Sequence, residues 1–276
     1  MFYTYPNGIA PEVLPCEGPQ KTKRDIPLGA KYSPDGVSRF RWAYVTDSQY
    51  FPGLVAGQLG NSHAFVLTTS MLQSVAGTGK HGHNVKDTVI TLYGASGLTA
   101  AKAKSFEEGK LFILSGVGKG HSYRVKWVAI GSSGNTEVWL YDPLITKLSS
   151  NSYGVLRPNE FYGLQYLSTK ASVGKISSTS VIPRGAFICS DDQNGFGNTS
   201  GYMWVQDKGP GVGKCNYVAT HGQLLGPAKL SGALSSFNIS GVVLTISTAI
   251  CPWARALSAN AAAGQFIACE WLIGKD

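Results

Sequence analysis

Five histidines, five cysteines and sixteen carboxylates are the side chains of this 276-residue chain that could carry catalysis or hold a metal. His81-Gly82-His83 is the only histidine pair. Two imidazoles at i and i+2 can share an ion once further ligands arrive, because zinc sites need three or four. Asp87 is the only acid nearby, so the pair reads as a polar loop. His63, His121 and His221 stand alone. Cys16, Cys189, Cys215, Cys251 and Cys269 are odd in number and widely spaced, with no Cys-x-x-Cys. That excludes a zinc knuckle and a thioredoxin-type motif, and favours free thiols in a protein folded in a reducing cytoplasm over a disulfide framework. Acid–base catalysis needs carboxylates placed by a scaffold. Glu107-Glu108 read as a solvated helix end, Asp191-Asp192 as a loop, and Asp142-Pro143 as a turn. No recognisable pair forms. Gly77-Thr78-Gly79-Lys80 is followed by His81 where a phosphate loop needs Ser or Thr. Gly116-Val117-Gly118-Lys119-Gly120 leads into a strand and not a helix, so it reads as a tight turn. The nucleophile elbow Gly-x-Ser-x-Gly is absent. The expectation is a protein that is not an enzyme and has no metal or cofactor.

Charge and surface remain. The net charge is +8, yet charged residues make up only 14% of the chain, against roughly 25% in ordinary globular domains. Hydrophobic residues at 43% exclude a disordered chain, and the lack of helical periodicity argues against a bundle. Residues 1–10 lack the basic start and apolar run of a secretory leader. The most apolar run, Gly241 to Ile250, is too short for a membrane span and is interrupted by Thr245, Ser247 and Thr248. Lys102, Lys104, Lys110, Lys119, Arg124 and Lys126, against Glu107 and Glu108, give +4 between positions 102 and 126. Arg124 and Lys126 fall on one face of a strand. Such a face can follow phosphates or meet an acidic protein surface, and an ordinary solvated face explains it equally well.

The elements that would position these residues are strands. Phe40/Trp42/Tyr44, Tyr123/Val125/Trp127, Val138/Leu140 and Tyr202/Trp204 alternate with their neighbours at period two, the mark of half-buried strands. All six tryptophans (42, 127, 139, 204, 253 and 271) read as strand cores. Residues 131–135, 191–195 and Lys208-Gly209-Pro210-Gly211 read as turns. Only Thr99 to Glu108 and Leu257 to Ala263 suggest helices, both short. Six of the thirteen prolines fall in the first 35 residues, which favours an extended arm. The small polar stretch from Ser168 to Pro183 reads as a linker. The expected fold is therefore all-β, with an arm (1–35), a basic domain (36–176) and a C-terminal domain (177–276), each domain a small barrel or sandwich. Residues 36–180 hold fourteen basic and seven acidic residues, so the positive excess is expected in the middle domain. Gly-Gln recurs at 57–58, 222–223 and 264–265, each before an apolar strand start, which is a local turn device rather than a duplication.

Two blocks carry a resemblance. The first runs from Gly116 to Lys126 and continues as Val138-Trp139-Leu140-Tyr141-Asp142-Pro143-Leu144 and Leu156-Arg157-Pro158-Asn159. It is similar to strand-and-turn patterns of tailed-bacteriophage structural proteins. The second, Gly201-Tyr202-Met203-Trp204-Val205-Gln206-Asp207-Lys208-Gly209-Pro210, with His221-Gly222-Gln223-Leu224 and Arg255-Ala256-Leu257 downstream, resembles phage head decoration (cement) proteins. Met203 departs from the small residue usual there, and Cys251-Pro252-Trp253 interrupts the approach to Arg255. The resemblance implies a virion protein on the head exterior, made in the host cytoplasm. Its partners would be the major capsid protein and other copies of itself, as a homo-oligomer such as a trimer. Neither a membrane nor nucleic acid is an expected partner. The arm, through Tyr3, Tyr5, Pro11, Pro15, Lys21, Lys23 and Arg24, and the basic strand, through Arg124 and Lys126, are the expected contacts. The alternatives are a tail or fibre protein touching host glycans and a glycan-active β enzyme.

Overall fold

The computed structural model describes residues 3–5, 8–10, 26–46, 54–59, 63–66, 83–92, 98–130, 136–149, 152–166, 181–188, 200–227, 234–236, 252–260 and 262–273. In chain order the elements are β1 (Tyr3–Tyr5), β2 (Gly8–Ala10), β3 (Lys31–Tyr32), β4 (Arg39–Val45), β5 (Val55–Leu59), β6 (His63–Val66) and β7 (Val89–Leu92). They continue with α1 (Ala100–Ser105), β8 (Lys110–Ser115), β9 (Ser122–Ile130), β10 (Thr136–Leu140), β11 (Tyr153–Arg157) and β12 (Tyr162–Tyr166). The remainder are β13 (Val181–Phe187), β14 (Gly201–Lys214), β15 (Leu224–Pro227), β16 (Leu234–Ser236), β17 (Ala254–Ala256) and β18 (Phe266–Leu272). The fold is all-β. Among the described residues of 257–263 none is helical: the chain bends at Leu257 and again at 262, and turns at 263–264 before β18.

The chain divides into two compact units, residues 1–60 with 161–276, and residues 61–160. This differs from the expected division at 176/177. The reason is long-range pairing: β4 lies in register with β14, Trp42 opposite Trp204, and β12 pairs with both β4 and β5. Such partners lie far apart in sequence and leave no compositional mark at the true boundaries. The charge assignment changes with the boundaries. Each unit now carries a net +4, so positive charge is not a property of one domain.

In the larger unit the pairings close a ring, β14–β13–β5–β12–β4–β14, in which only β12–β4 is parallel. Alternation sends Ala43, Val45, Ala56, Leu164, Phe187, Met203 and Val205 to one buried cluster, with Leu54 beside them. Trp42, Tyr202 and Trp204 point the other way and are buried under Ile26, Leu28 and Tyr32. Residues 26–35 are thus a cover on this chain's own sheet and not part of a free arm. Arg41 fastens that cover by donating to the Gly29 carbonyl at 3.1 Å. Upstream, β1 and β2 form a short antiparallel hairpin.

The long strand β14 contains the whole segment Gly201–Pro210. Lys208-Gly209-Pro210-Gly211 is not a turn; it lies inside β14, beyond a bulge at Asp207 where pairing passes from β4 to β18. Gln206 spans the bulge, donating from Nε2 to the carbonyls of Lys208 and Pro210 at 3.2 and 2.7 Å. Gly209 has φ +92°, and a Cβ there would meet the Val37 carbonyl and Ser38 backbone at 2.8 Å.

In the smaller unit the strand order is β6-β11-β8-β9-β10-β7. One face is buried: Leu111, Ile113, Tyr123, Val125, Val138, Leu140 and Leu156 pack with Ala103 and Phe106 from the helical segment. Thr99 caps α1 through its Oγ1, which accepts from Lys102 N. Glu108, at φ +58°, and Gly109 end the helical segment and start β8.

A cationic and aromatic sheet face as the candidate functional site

The outward face of the smaller unit's sheet holds the candidate site. The backbone registers Arg157↔Lys110 and Lys110↔Arg124 place three cations in one row across β11, β8 and β9. Adjacent strands lie about 4.8 Å apart, so the row spans about 10 Å. Like charges directly opposite one another on a sheet are destabilising. Among the described residues only Arg124 has an acid: its Nε and Nη2 donate to the two Asp142 oxygens at 2.9 and 3.0 Å. That fork raises the Arg124 pKa and holds the Asp142 carboxyl below its ordinary range. The Arg124 guanidinium also lies 5.4 Å from the Tyr141 ring centre. Among the described residues no ion pair engages Lys110, Lys126 or Arg157.

A bulge completes the face. Trp139 pairs with Trp127 but Leu140 pairs with Val125, which leaves Lys126 as the extra residue on β9. The alternation breaks there, so Lys126 and Trp127 are both exposed between buried Val125 and Val128. Trp127 is therefore not a core residue: it is 45% exposed, with its ring 4.6 Å from that of Trp139 on the facing strand. A strict period-two reading put it inside, and nothing in the local residue types announces the bulge. Tyr141, Leu114 and Tyr153 add exposed apolar surface, 48%, 57% and 47% accessible.

The structure brings Arg124 and Lys126 together on this face as their spacing indicated. It removes Lys102 and Lys104, which lie on α1, and Lys119, which lies in the 116–120 turn. It adds Arg157, which could be found only from the strand register. Tyr3 and Tyr5 lie on β1; Pro11, Pro15, Lys21, Lys23 and Arg24 lie outside the described residues. The 116–120 segment is a turn, with Gly116, Gly118 and Gly120 all at positive φ.

Several of the described groups weighed for other chemistry have structural occupations. His83 is buried, and its Nε2 donates to the Thr91 carbonyl at 2.8 Å. Burial lowers its pKa. His81 lies outside the described residues. Cys215 and Cys269 are free and buried, and burial pushes the Cys269 thiol up to about 12, far from a reactive thiolate. Cys16, Cys189 and Cys251 lie outside the described residues. Gln223 and Gln265 each accept, through Oε1, from the backbone N–H three residues before, at Thr220 and Ala262, which closes the turns at Gly222 and Gly264. Among the described residues no three His, Cys, Asp or Glu side chains group as metal ligands, and no helix is long and apolar enough to cross a membrane. No family model, no curated protein and no solved structure matches this chain.

Proposed function

We propose that this chain is a structural virion protein, a capsid decoration protein that binds the outside of a phage head and reinforces the shell. The observation that carries the reading is the face around Trp127: uncompensated cations and exposed aromatics on a sheet whose other side is fully packed. Such a face suits contact with another surface. The Gly201–Pro210 segment adds support through its resemblance to cement proteins, although Tyr202, Trp204, Gln206 and Gly209 also have places in the fold. A cement protein gains from many small repeated contacts around a symmetric shell. Co-sedimentation of the purified chain with emptied heads of the encoding phage tests the proposal. Binding that weakens as salt rises is expected, because the cations of this face are exposed. Chain left in the supernatant at low salt would reject it.

The exposed Trp127 ring, tilted against Trp139, also favours a second reading, a tail or fibre protein whose indole stacks on host sugars. Position and copy number on the particle separate the two, since a fibre protein is present in few copies at the tail.

A further inference from the structure

We infer that the outward face of the smaller unit docks an acidic protein surface and not a nucleic acid. This rests on the proposed role in binding a partner protein, and names the chemistry of the partner's side. Three observations carry it. First, Lys110 stands opposite Arg157 on one side and Arg124 on the other, and among the described residues only Arg124 pairs with a carboxylate, so incoming carboxylates would relieve the repulsion within the row. Second, the face is not uniformly basic. Asp142 lies half-exposed on Arg124, and Glu137 precedes Trp139 on β10. Phosphates following a base stacked on Trp127 would pass these acids, whereas single-strand binders surround their stacking platforms with continuous positive charge. Third, Trp127, Tyr141, Tyr153 and Leu114 are exposed, and the Arg124 guanidinium lies over the Tyr141 ring. Trp, Tyr and Arg are the types that dominate binding energy between proteins, and carboxylate-against-guanidinium complementarity fixes orientation.

The test uses the full chain and two probes of matched charge: a random glutamate–tyrosine copolymer, as an acidic protein surface, and oligo(dT). Binding is read by fluorescence anisotropy of the labelled probe at low salt. The copolymer is expected to bind more tightly than oligo(dT). Lys110→Glu with Arg157→Glu should weaken copolymer binding about tenfold or more, and Trp127→Ala by a similar factor. All three positions are exposed, so unchanged melting temperatures should accompany the losses. Tighter binding to oligo(dT), no binding to the copolymer, or variants that bind it like the parent would each overturn the inference. Failure on heads with copolymer binding intact would instead fall on the virion proposal alone.

Discussion

Two arginines share one buried carboxylate at Asp207. Arg39 Nε reaches Oδ1 at 2.9 Å and Arg41 Nε reaches Oδ2 at 3.0 Å, with the carboxylate almost wholly enclosed. Removing the acid takes from two largely buried guanidiniums the carboxylate they share, which costs far more than losing an exposed pair. Asp207→Ala should therefore destabilise the chain by about 3–5 kcal/mol in urea unfolding; Arg124→Ala, at the exposed fork with Asp142, should leave the midpoint nearly unchanged. His83 supplies a pH signature. Its Nε2 is the donor to Thr91, so charging it would put a proton on Nδ1, which is buried and has no partner. Its folded pKa lies below the ordinary 6.5, so the unfolded chain binds the proton more readily. Stability from this group is full above that value and is lost as pH falls through it toward the folded pKa. His83→Gln, which keeps a donor, should flatten the acid limb of a stability–pH curve measured by denaturant unfolding.

At the scale of elements, much was legible and the exceptions have physical causes. The strands at 39–45, 122–130, 136–140 and 201–207 follow from period-two alternation, and the helical segment from the Thr99 cap. The Gly-Pro cluster at 208–211 looks like a turn in any local reading. It is a strand because Gln206 bridges the bulge and Gly209 lets the backbone of 37–38 approach. Gly209→Ala should cost more than Gly222→Ala. Both have positive φ, at a strain of roughly 1–2 kcal/mol, but only the first would drive a Cβ into neighbouring backbone. Comparing thermal melts of the two variants measures that difference. The Pro-rich start was legible as non-helical but not as a cover. Ile26, Leu28 and Tyr32 bury against Trp42 and Trp204, a contact between residues that no local pattern links. Removing residues 1–35 should expose that aromatic cluster and lower the melting temperature, whereas removing 1–25 leaves the cover in place and should melt nearer the full chain. The candidate face was half legible: Arg124 and Lys126 from spacing, Arg157 and Trp127 only from register and bulge.

For the whole molecule, positive charge divides evenly between the two units, so basicity alone no longer singles out a functional domain. What distinguishes the smaller unit is local: like charges in register beside exposed indole and phenol rings, on the outer side of a packed sheet. The low overall charge takes on meaning in that context. The fold is secured by apolar strand faces and the enclosed ion pairs at Asp207, and Lys110, Lys126 and Arg157 are left exposed on the candidate face. The central claim is that this partner is a phage head. Counting copies of the chain per purified virion, by quantitative mass spectrometry against the major capsid protein, tests it most directly. The account predicts hundreds of copies in fixed ratio to the capsid protein, retained on heads separated from tails. Absence from the particle, or a handful of copies that travel with the tails, would contradict it.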